Sequence, residues 1–312
     1  MRQPPRQRGA ALLTAMAIVT VVATLASAMV WQQWRAVRVE AAERSRLQAA
    51  WILAGALDWA RLILREDARS GGADNLGEPW AVPLAEARLS TFLAADKDNT
   101  DDAPDAFLSG AISDAQARYN LRNLVDAATG KVAPTQLTVL KQLCEAGGIS
   151  AAVGERLANA LAAASIGSGD APLMPQSVAQ LVWLGLDADT VHRLAPYVVL
   201  LPVRTPVNLN TASREVIAAS IVGLALGDAE RLVQVRQRTP FKNLDEVKKN
   251  LPSTLVLDGA QVSVGTRFFE VRGQLRMDDR VLRERSLVER RNQEVVTVRR
   301  ERLDPNDPAD LP

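Results

Sequence analysis

MRQPPRQRGAALLTAMAIVTVVATLASAMVWQQW, residues 1–34, is the stretch on which the fold turns. Arg2, Arg6 and Arg8 sit on a short polar leader that ends at Gly9. From Ala10 to Val30 no charge appears, a run of about 21 residues and long enough to cross a bilayer as a helix at about 1.5 Å per residue. A secretory signal has a shorter apolar core and places its small-residue cleavage site beyond that core. Here the break falls ahead of the core, at Arg8-Gly9-Ala10. The arginines favour a cytoplasmic N-terminus, and Trp31 and Trp34 fall where aromatic rings suit a membrane interface. Everything after them is expected outside the cytoplasmic membrane.

The apolar run continues into a second, wetter stretch of helix. From Gln32 to Asp67 there is no proline and one glycine, Gly55. Ala, Leu, Arg and Glu dominate, all good helix formers. Leu47, Trp51, Ala54 and Leu57 recur at three- and four-residue steps, which predicts an apolar stripe. Glu40, Glu43, Arg44 and Arg46 supply the wet side. The helix is expected to end near Ser70-Gly71-Gly72.

Composition narrows the function. The chain has 312 residues and a formal net charge of +1, with one cysteine and one histidine. The balanced charge gives no global field for nucleic acid. A lone cysteine (Cys144) and a lone histidine (His192) exclude an internal disulfide and a Cys/His zinc site of the usual kind. They also argue against a Ser-His-Asp centre, which would need His192 as its base. No catalytic set is visible, and no enzymatic activity is expected.

Residues 73–122 read as loops and strands, broken by Pro79, Pro83 and Pro104. SGAISDAQARYNLRNL predicts two short strands around Asp114-Ala115-Gln116, with Ile112 and Tyr119 inward. The acidic run DKDNTDDAPD offers Asp96, Asp98, Asp101 and Asp102 as candidate calcium ligands, because calcium takes oxygen ligands from such loops. It lacks the glycine and distal glutamate of a helix-loop-helix calcium site, so a solvated acidic loop stands as the competing reading.

From 123 to 250 the pattern is helical and alanine-rich. TQLTVLKQLCEAGG and ISAAVGERLANALAAAS predict two helices, the first capped at Gly147-Gly148. Further helices of about three turns each follow in SVAQLVWLGL, DADTVHRLAPYVVLL, TASREVIAASIVGL and LGDAERLVQVRQR. Thr211 or Ser213 is the expected cap of one, Asp228 of the next, and Asn243 opens a last short one. VNLNTASREVI with the helices after it resembles the helix-hairpin-helix modules of DNA-uptake and repair proteins. Those modules hold phosphate on backbone N–H groups of a Gly-hydrophobic-Gly turn. Here Gly223 and Gly227 stand two positions too far apart, so the fold signal is fair and the DNA signal weak.

Beyond Leu255 the period changes. VLDGAQVSVG, TRFFEVRGQLRM, DDRVLRERSLVERR and NQEVVTVRRERL predict strands, with turns at Asp278-Asp279 and Arg291-Asn292. Phe268, Val271, Leu275, Val281, Val288, Val296 and Val298 are the expected buried face.

The leader junction RG-A-A-L-L resembles that of type IV prepilins, which are cut after the glycine on the cytoplasmic side and keep the apolar helix. With EPWA (Glu78 to Ala81), ISDAQARYNLRNL, PVNLNTA and GTRFFEVRG in the same order, nearly the whole chain resembles the pseudopilin K family of type II secretion. That resemblance implies an α+β, pilin-like fold: a long N-terminal helix packed on an antiparallel sheet, with a large all-helical domain inserted. The implied parts are a leader (1–9), a transmembrane and amphipathic spine (10–70), a β domain (73–122 and 251–303), the inserted helical domain (123–250) and a flexible tail (304–312). It implies cleavage at Gly9 by prepilin peptidase and N-methylation of Ala10. Thr14 stands where most prepilins carry a glutamate, a feature shared with pseudopilin K. The implied role is a minor pseudopilin at the tip of the pseudopilus, anchored in the inner membrane with a periplasmic globular part. Its partners would be pseudopilins of the I and J types and, beyond them, secreted substrates. A membrane-anchored helix-hairpin-helix DNA-binding protein is the alternative.

Overall fold

The computed structural model describes residues 10–89, 106–167, 171–277 and 280–304. One helix, α1 (Ala10–Ser70), runs without a break through the apolar and amphipathic stretches. It stops where expected: Gly71 and Gly72 take φ of +66° and +120°, and the Gly71 N–H closes on the Asp67 carbonyl at 3.2 Å. Only glycine adopts such angles freely.

By packing, the chain divides into residues 1–54 and residues 55–312. In the first unit the apolar residues from Leu12 to Val39 are exposed, as are Leu47 and Trp51. The wet side is laced as expected by Glu40–Arg44 and Glu43–Arg46 pairs at 3.1 and 2.8 Å. The expected Leu47-Trp51-Ala54-Leu57 stripe is therefore corrected, since only Leu57 of the four is buried. α1 is apolar around much of its circumference, so three- and four-residue spacing joins residues from different faces.

In the second unit Leu57, Ala60 and Leu64 of α1 pack with Trp80, Phe269, Val271, Val288 and Val295. This is the buried face of a five-stranded antiparallel sheet in the order β1-β2-β7-β8-β9. The strands are β1 (Leu84–Arg88), β2 (Ala106–Asp114), β7 (Phe268–Met277), β8 (Arg280–Arg291) and β9 (Glu294–Leu303). Fully burying a Leu or Phe side chain stabilises by about 1.5–3 kcal/mol, so these residues carry most of the helix-on-sheet attachment. The β8–β9 turn falls at Asn292-Gln293, one residue beyond the expected Arg291-Asn292, because Arg291 still pairs with Glu294; Asn292 takes φ +56°. The turn expected at Asp278-Asp279 lies outside the described residues. In β9 the inward residue is Val295, whereas Val296 is half-buried and Val298 is 38% exposed. Adjacent valines leave the alternation ambiguous, and a register shift at Leu287/Val288 carries Val298 out of the ladder. Val281, also expected inside, is half-buried.

β2 and β7 are neighbours, paired from Ala106↔Met277 to Asp114↔Phe269. Everything between them is thus a detour that leaves and re-enters the sheet at one place. The detour has its own core, which includes Leu140, Leu157, Leu161, Leu181, Leu209, Ile217, Leu232 and Phe241. Its helices are α2 (Pro134–Ala146), α3 (Ala151–Ile166), α4 (Ala188–Leu194), α5 (Arg214–Ser220), α6 (Leu226–Arg238) and α7 (Leu244–Lys248). Short parallel bridges join β3 (Tyr119–Asn120) to β4 (Val198–Val199), and β5 (Val207–Asn208) to β6 (Val262–Ser263).

Several local expectations need correction. VLDGAQVSVG yields only the two-residue β6, because the Asp258 carboxylate accepts the Ala260 N–H at 2.9 Å and turns the chain. Leu251, Val262 and Tyr119 join the helical core, so that core reaches beyond residues 123–250 at both ends. SVAQLVWL is a 3₁₀ stretch, and α4 and α5 have seven residues each. Ser213 caps α5, but Ala225, not Asp228, stands at the start of α6; Asp228 pairs with Arg231 inside the first turn.

Candidate functional site

The first candidate region is the start of α1. Ala10 is the first described residue and is exposed; Gly9 lies outside the described residues. The Thr14 hydroxyl bonds back to the carbonyls of Ala10 and Ala11 at 3.1 and 3.0 Å. Its polarity is thus satisfied within its own helix, whereas an unpaired glutamate at this position would cost several kcal/mol in a hydrocarbon environment. Further along, Arg35 and Arg38 lie 5.8 and 4.7 Å from the ring centroids of Trp31 and Trp34. Snorkelling cations beside interfacial aromatics suit the depth expected for these residues. Among the described residues α1 is the one helix long and apolar enough to cross a membrane.

The second region lies where α1 ends and the detour joins the sheet. Arg290, on β8, is its hub. Its guanidinium donates to Asp67 at 2.6 Å, to Asp74 at 2.5 Å and to the Thr266 carbonyl at 2.9 Å. It also stacks 4.9 Å from the centroid of Phe269. Asp74 accepts the Thr266 N–H at 2.7 Å. Glu78 accepts the Trp80 indole N–H at 2.6 Å and the Asn75 N–H at 3.1 Å, seating Trp80 edge-on against Phe269 with centroids 5.2 Å apart. Asp67, Asp74 and Glu78 bring their oxygens within 4.8 Å of one another. Burial raises the pKa of Asp67 and Glu78; Arg290 opposes the shift at Asp67, and the Trp80 N–H opposes it at Glu78.

Beside this hub, Asp114 closes the detour. One carboxylate oxygen accepts the Gln116 N–H at 2.7 Å. The other accepts Asn208 Nδ2 at 2.9 Å and Thr211 Oγ1 at 2.6 Å. Burial raises its pKa against these bonds. Gln116 spans the exit and return of the chain, donating to the Pro206 carbonyl and accepting the Arg267 N–H at 3.0 and 2.8 Å. Asn120 and Asn123 tie to Thr205, and Asn210 brackets Phe241 through both its backbone groups. Arg236, its pKa pushed down by burial to about 10, donates to the Leu209 carbonyl.

Four motifs that looked separate in the sequence therefore meet in one place. EPWA seats the tryptophan, SDAQ and YNLRN supply Asp114, Gln116, Asn120 and Asn123, PVNLNTA answers them, and GTRFF returns the chain to the sheet. Chemically this is a weld. Its donors and acceptors satisfy one another, and unmaking any of them would strand a buried polar group.

On the opposite face of the sheet Glu270 accepts from Arg118 at 2.9 Å and pairs with Arg272 at 2.8 Å. Burial pushes its pKa up, but the two guanidiniums outweigh that and hold it down at about 2. A depressed folded pKa means stability that is full above the ordinary carboxyl range and lost as pH falls through the folded value. Glu270→Gln should therefore lower stability at neutral pH by on the order of 3 kcal/mol. The gap from wild type should close between about pH 4.5 and 2, as read by denaturant unfolding across pH. A gap independent of pH would contradict the pairing.

Of the remaining sequence candidates, Asp96, Asp98, Asp101 and Asp102 lie outside the described residues. His192 is exposed on α4. Cys144 is buried, its pKa raised to about 11 by burial and then by Glu145, which suits a core residue. At the hairpin between α5 and α6, Gly223 takes φ +82° while Val222 and Leu226 are exposed. The arginines that flank it along the chain are already matched: Arg214 by Glu215 and Glu230, Arg231 by Asp228. An apolar tip with neutralised cations is poorly suited to phosphate. Arg290 and Asp74 were not singled out from the sequence. In a strand of alternating Arg and Glu nothing local distinguishes the one arginine that turns inward.

Comparison with known proteins matches two family models, both described as type II secretion system (T2SS), protein K, over residues 117–203 and 207–267. A type II secretion system protein K from Pseudomonas aeruginosa is 30% identical over 303 residues, covering 88% of this chain and 86% of the relative. One from Pectobacterium carotovorum subsp. carotovorum is 28% identical, covering 95% and 96%. Among solved structures, a chain of the GspK-GspI-GspJ complex from the enterotoxigenic Escherichia coli type 2 secretion system superposes with a TM-score of 0.64 at 19% identity, covering 84% of this chain and 98% of that one.

Proposed function

The chain belongs to the type II secretion system protein K family, and on that footing we propose that it is the minor pseudopilin at the tip of the pseudopilus. Prepilin peptidase removes residues 1–9 after Gly9, and Ala10 becomes the N-methylated first residue. The mature protein spans the inner membrane once, N-terminus cytoplasmic and globular part periplasmic. With pseudopilins of the I and J types it starts assembly of the filament that exports folded proteins, and its exposed face meets secreted substrates. Calcium on Asp96, Asp98, Asp101 and Asp102 is part of this proposal.

The observation that carries it is the exposed apolar surface of α1, from Leu12 to Val39 and again at Leu47 and Trp51. The inner part suits lipid, and the outer part suits neighbouring helices. Thr14 supports the terminal position: a tip subunit has no neighbour above whose amine would need a glutamate. The weld supports it too, since a bulky insert held rigidly would obstruct a further layer. Co-expression with the I and J pseudopilins of the same secretion system, followed by purification through a tag on this chain, should yield a three-component complex. Trp51→Glu should weaken that complex by about tenfold or more, as central aromatic contacts do. Recovery of the chain alone would contradict the proposal.

A further inference from the structure

Beside the weld an open cleft of about 610 Å³ lies between the returning chain and α7. Its size falls in the range of sites that take small ligands or short peptide stretches. Apolar surface from Pro206, Leu244 and Val264 lines part of it, and three exposed cations, Arg204, Lys242 and Arg267, line much of the rest.

Most of the cleft's other polar groups already have partners. Thr205 Oγ1 accepts from Asn120, Ser263 Oγ donates to the Gly265 carbonyl, and the Gln116 amide is used at both ends. Asn243 Oδ1 accepts the Glu246 N–H, and Glu246 in turn accepts the backbone N–H of Lys242. Asp74 is held by Arg290 and the Thr266 N–H. Arg267 leans on Glu289 at 3.3 Å. The side chains of Arg204 and Lys242 have no hydrogen-bond or ion-pair partner among the described residues. What the cleft still offers is therefore two free cationic donors and an apolar floor.

We propose that this cleft binds an acidic segment of a separate polypeptide. Its carboxylates meet Arg204 and Lys242, and an apolar side chain rests on Pro206, Leu244 and Val264. The occupant is not nucleic acid. Two free cations fall well short of the six to ten phosphate contacts, roughly, of a typical binder. The proposal does not depend on the filament-tip reading.

The test uses the full chain in detergent and a fluorescein-labelled peptide of alternating Asp and Leu, with the matching Lys-Leu peptide as control. The Asp-Leu peptide should bind saturably and weaken as salt is raised. Arg204→Glu with Lys242→Glu should weaken it by about tenfold or more, both positions being exposed, with thermal unfolding unchanged. Leu244→Asp, aimed at the apolar floor, should weaken it as well. Equal binding of the two peptides, undiminished binding to the double variant, or tighter binding of a single-stranded oligonucleotide would each overturn the proposal.

Discussion

Arg290→Ala is expected to lower the stability of the globular part by about 3–5 kcal/mol, the range measured when one partner of a buried ion pair is removed. Arg290 and Asp67 are each 13% exposed at the side chain and Asp74 is 6%, so water replaces little of what is lost. The deletion strands Asp67 and Asp74 beside Glu78 and frees the Thr266 carbonyl. It also empties the space against Phe269. In a chain of this size a loss of that order lowers the unfolding temperature by roughly 10 °C. The deficit should depend on pH with a definite sign. Burial already raises the pKa of Asp67 and Glu78, and losing Arg290 raises that of Asp67 further. Groups with raised folded pKa values destabilise as pH rises through those values. The deficit should therefore be largest at neutral pH and shrink toward about pH 4. Asp67→Asn in the Arg290→Ala background should recover part of it by removing one uncompensated carboxylate. A loss under about 1 kcal/mol would mean that Arg290 acts as a surface ion pair, which such a value would typify.

Replacing Gly9 by a bulky residue such as Gln is expected to leave the leader attached and to abolish secretion in a strain that depends on this chain. With residues 1–9 retained, three arginines stay fixed ahead of α1. Each charged side chain carried into the hydrocarbon costs about 2.5–3.5 kcal/mol or more. An uncleaved subunit can then sit in the membrane but not move out of it with a growing filament. The readout is a retained precursor on gels of the membrane fraction together with secreted protein lost from the medium. Normal secretion with an uncleaved precursor would contradict the role given to the leader.

Much of this molecule is legible in its sequence, for reasons that differ by region. α1 could be bounded because Gly71 and Gly72 adopt angles that other residues avoid. The three long strands after Arg267 could be placed because β-branched and other apolar residues alternate with charged ones along the sequence. The inward choice failed in β9, where Val295 and Val296 are neighbours and only register decides between them. VLDGAQVSVG failed because Leu257, Val262 and Val264 serve the helical core, which periodicity alone does not distinguish from a sheet. The weld was half visible. Its motifs stood out singly, but their convergence is a product of β2 and β7 pairing across a long detour, and no local pattern carries that information. Asp67, Asp74 and Arg290 come from three separate segments and share no spacing.

The account depends most on α1 remaining with the mature protein after the leader is cut away. Intact-mass and N-terminal peptide mass spectrometry of the protein isolated from native membranes measures this directly. The account predicts a mature chain that begins at Ala10, carries one added methyl on its amine and retains Ala10–Ser70 whole. A chain that still begins at Met1, or one cut beyond Val30 so that the apolar helix is gone, would contradict it.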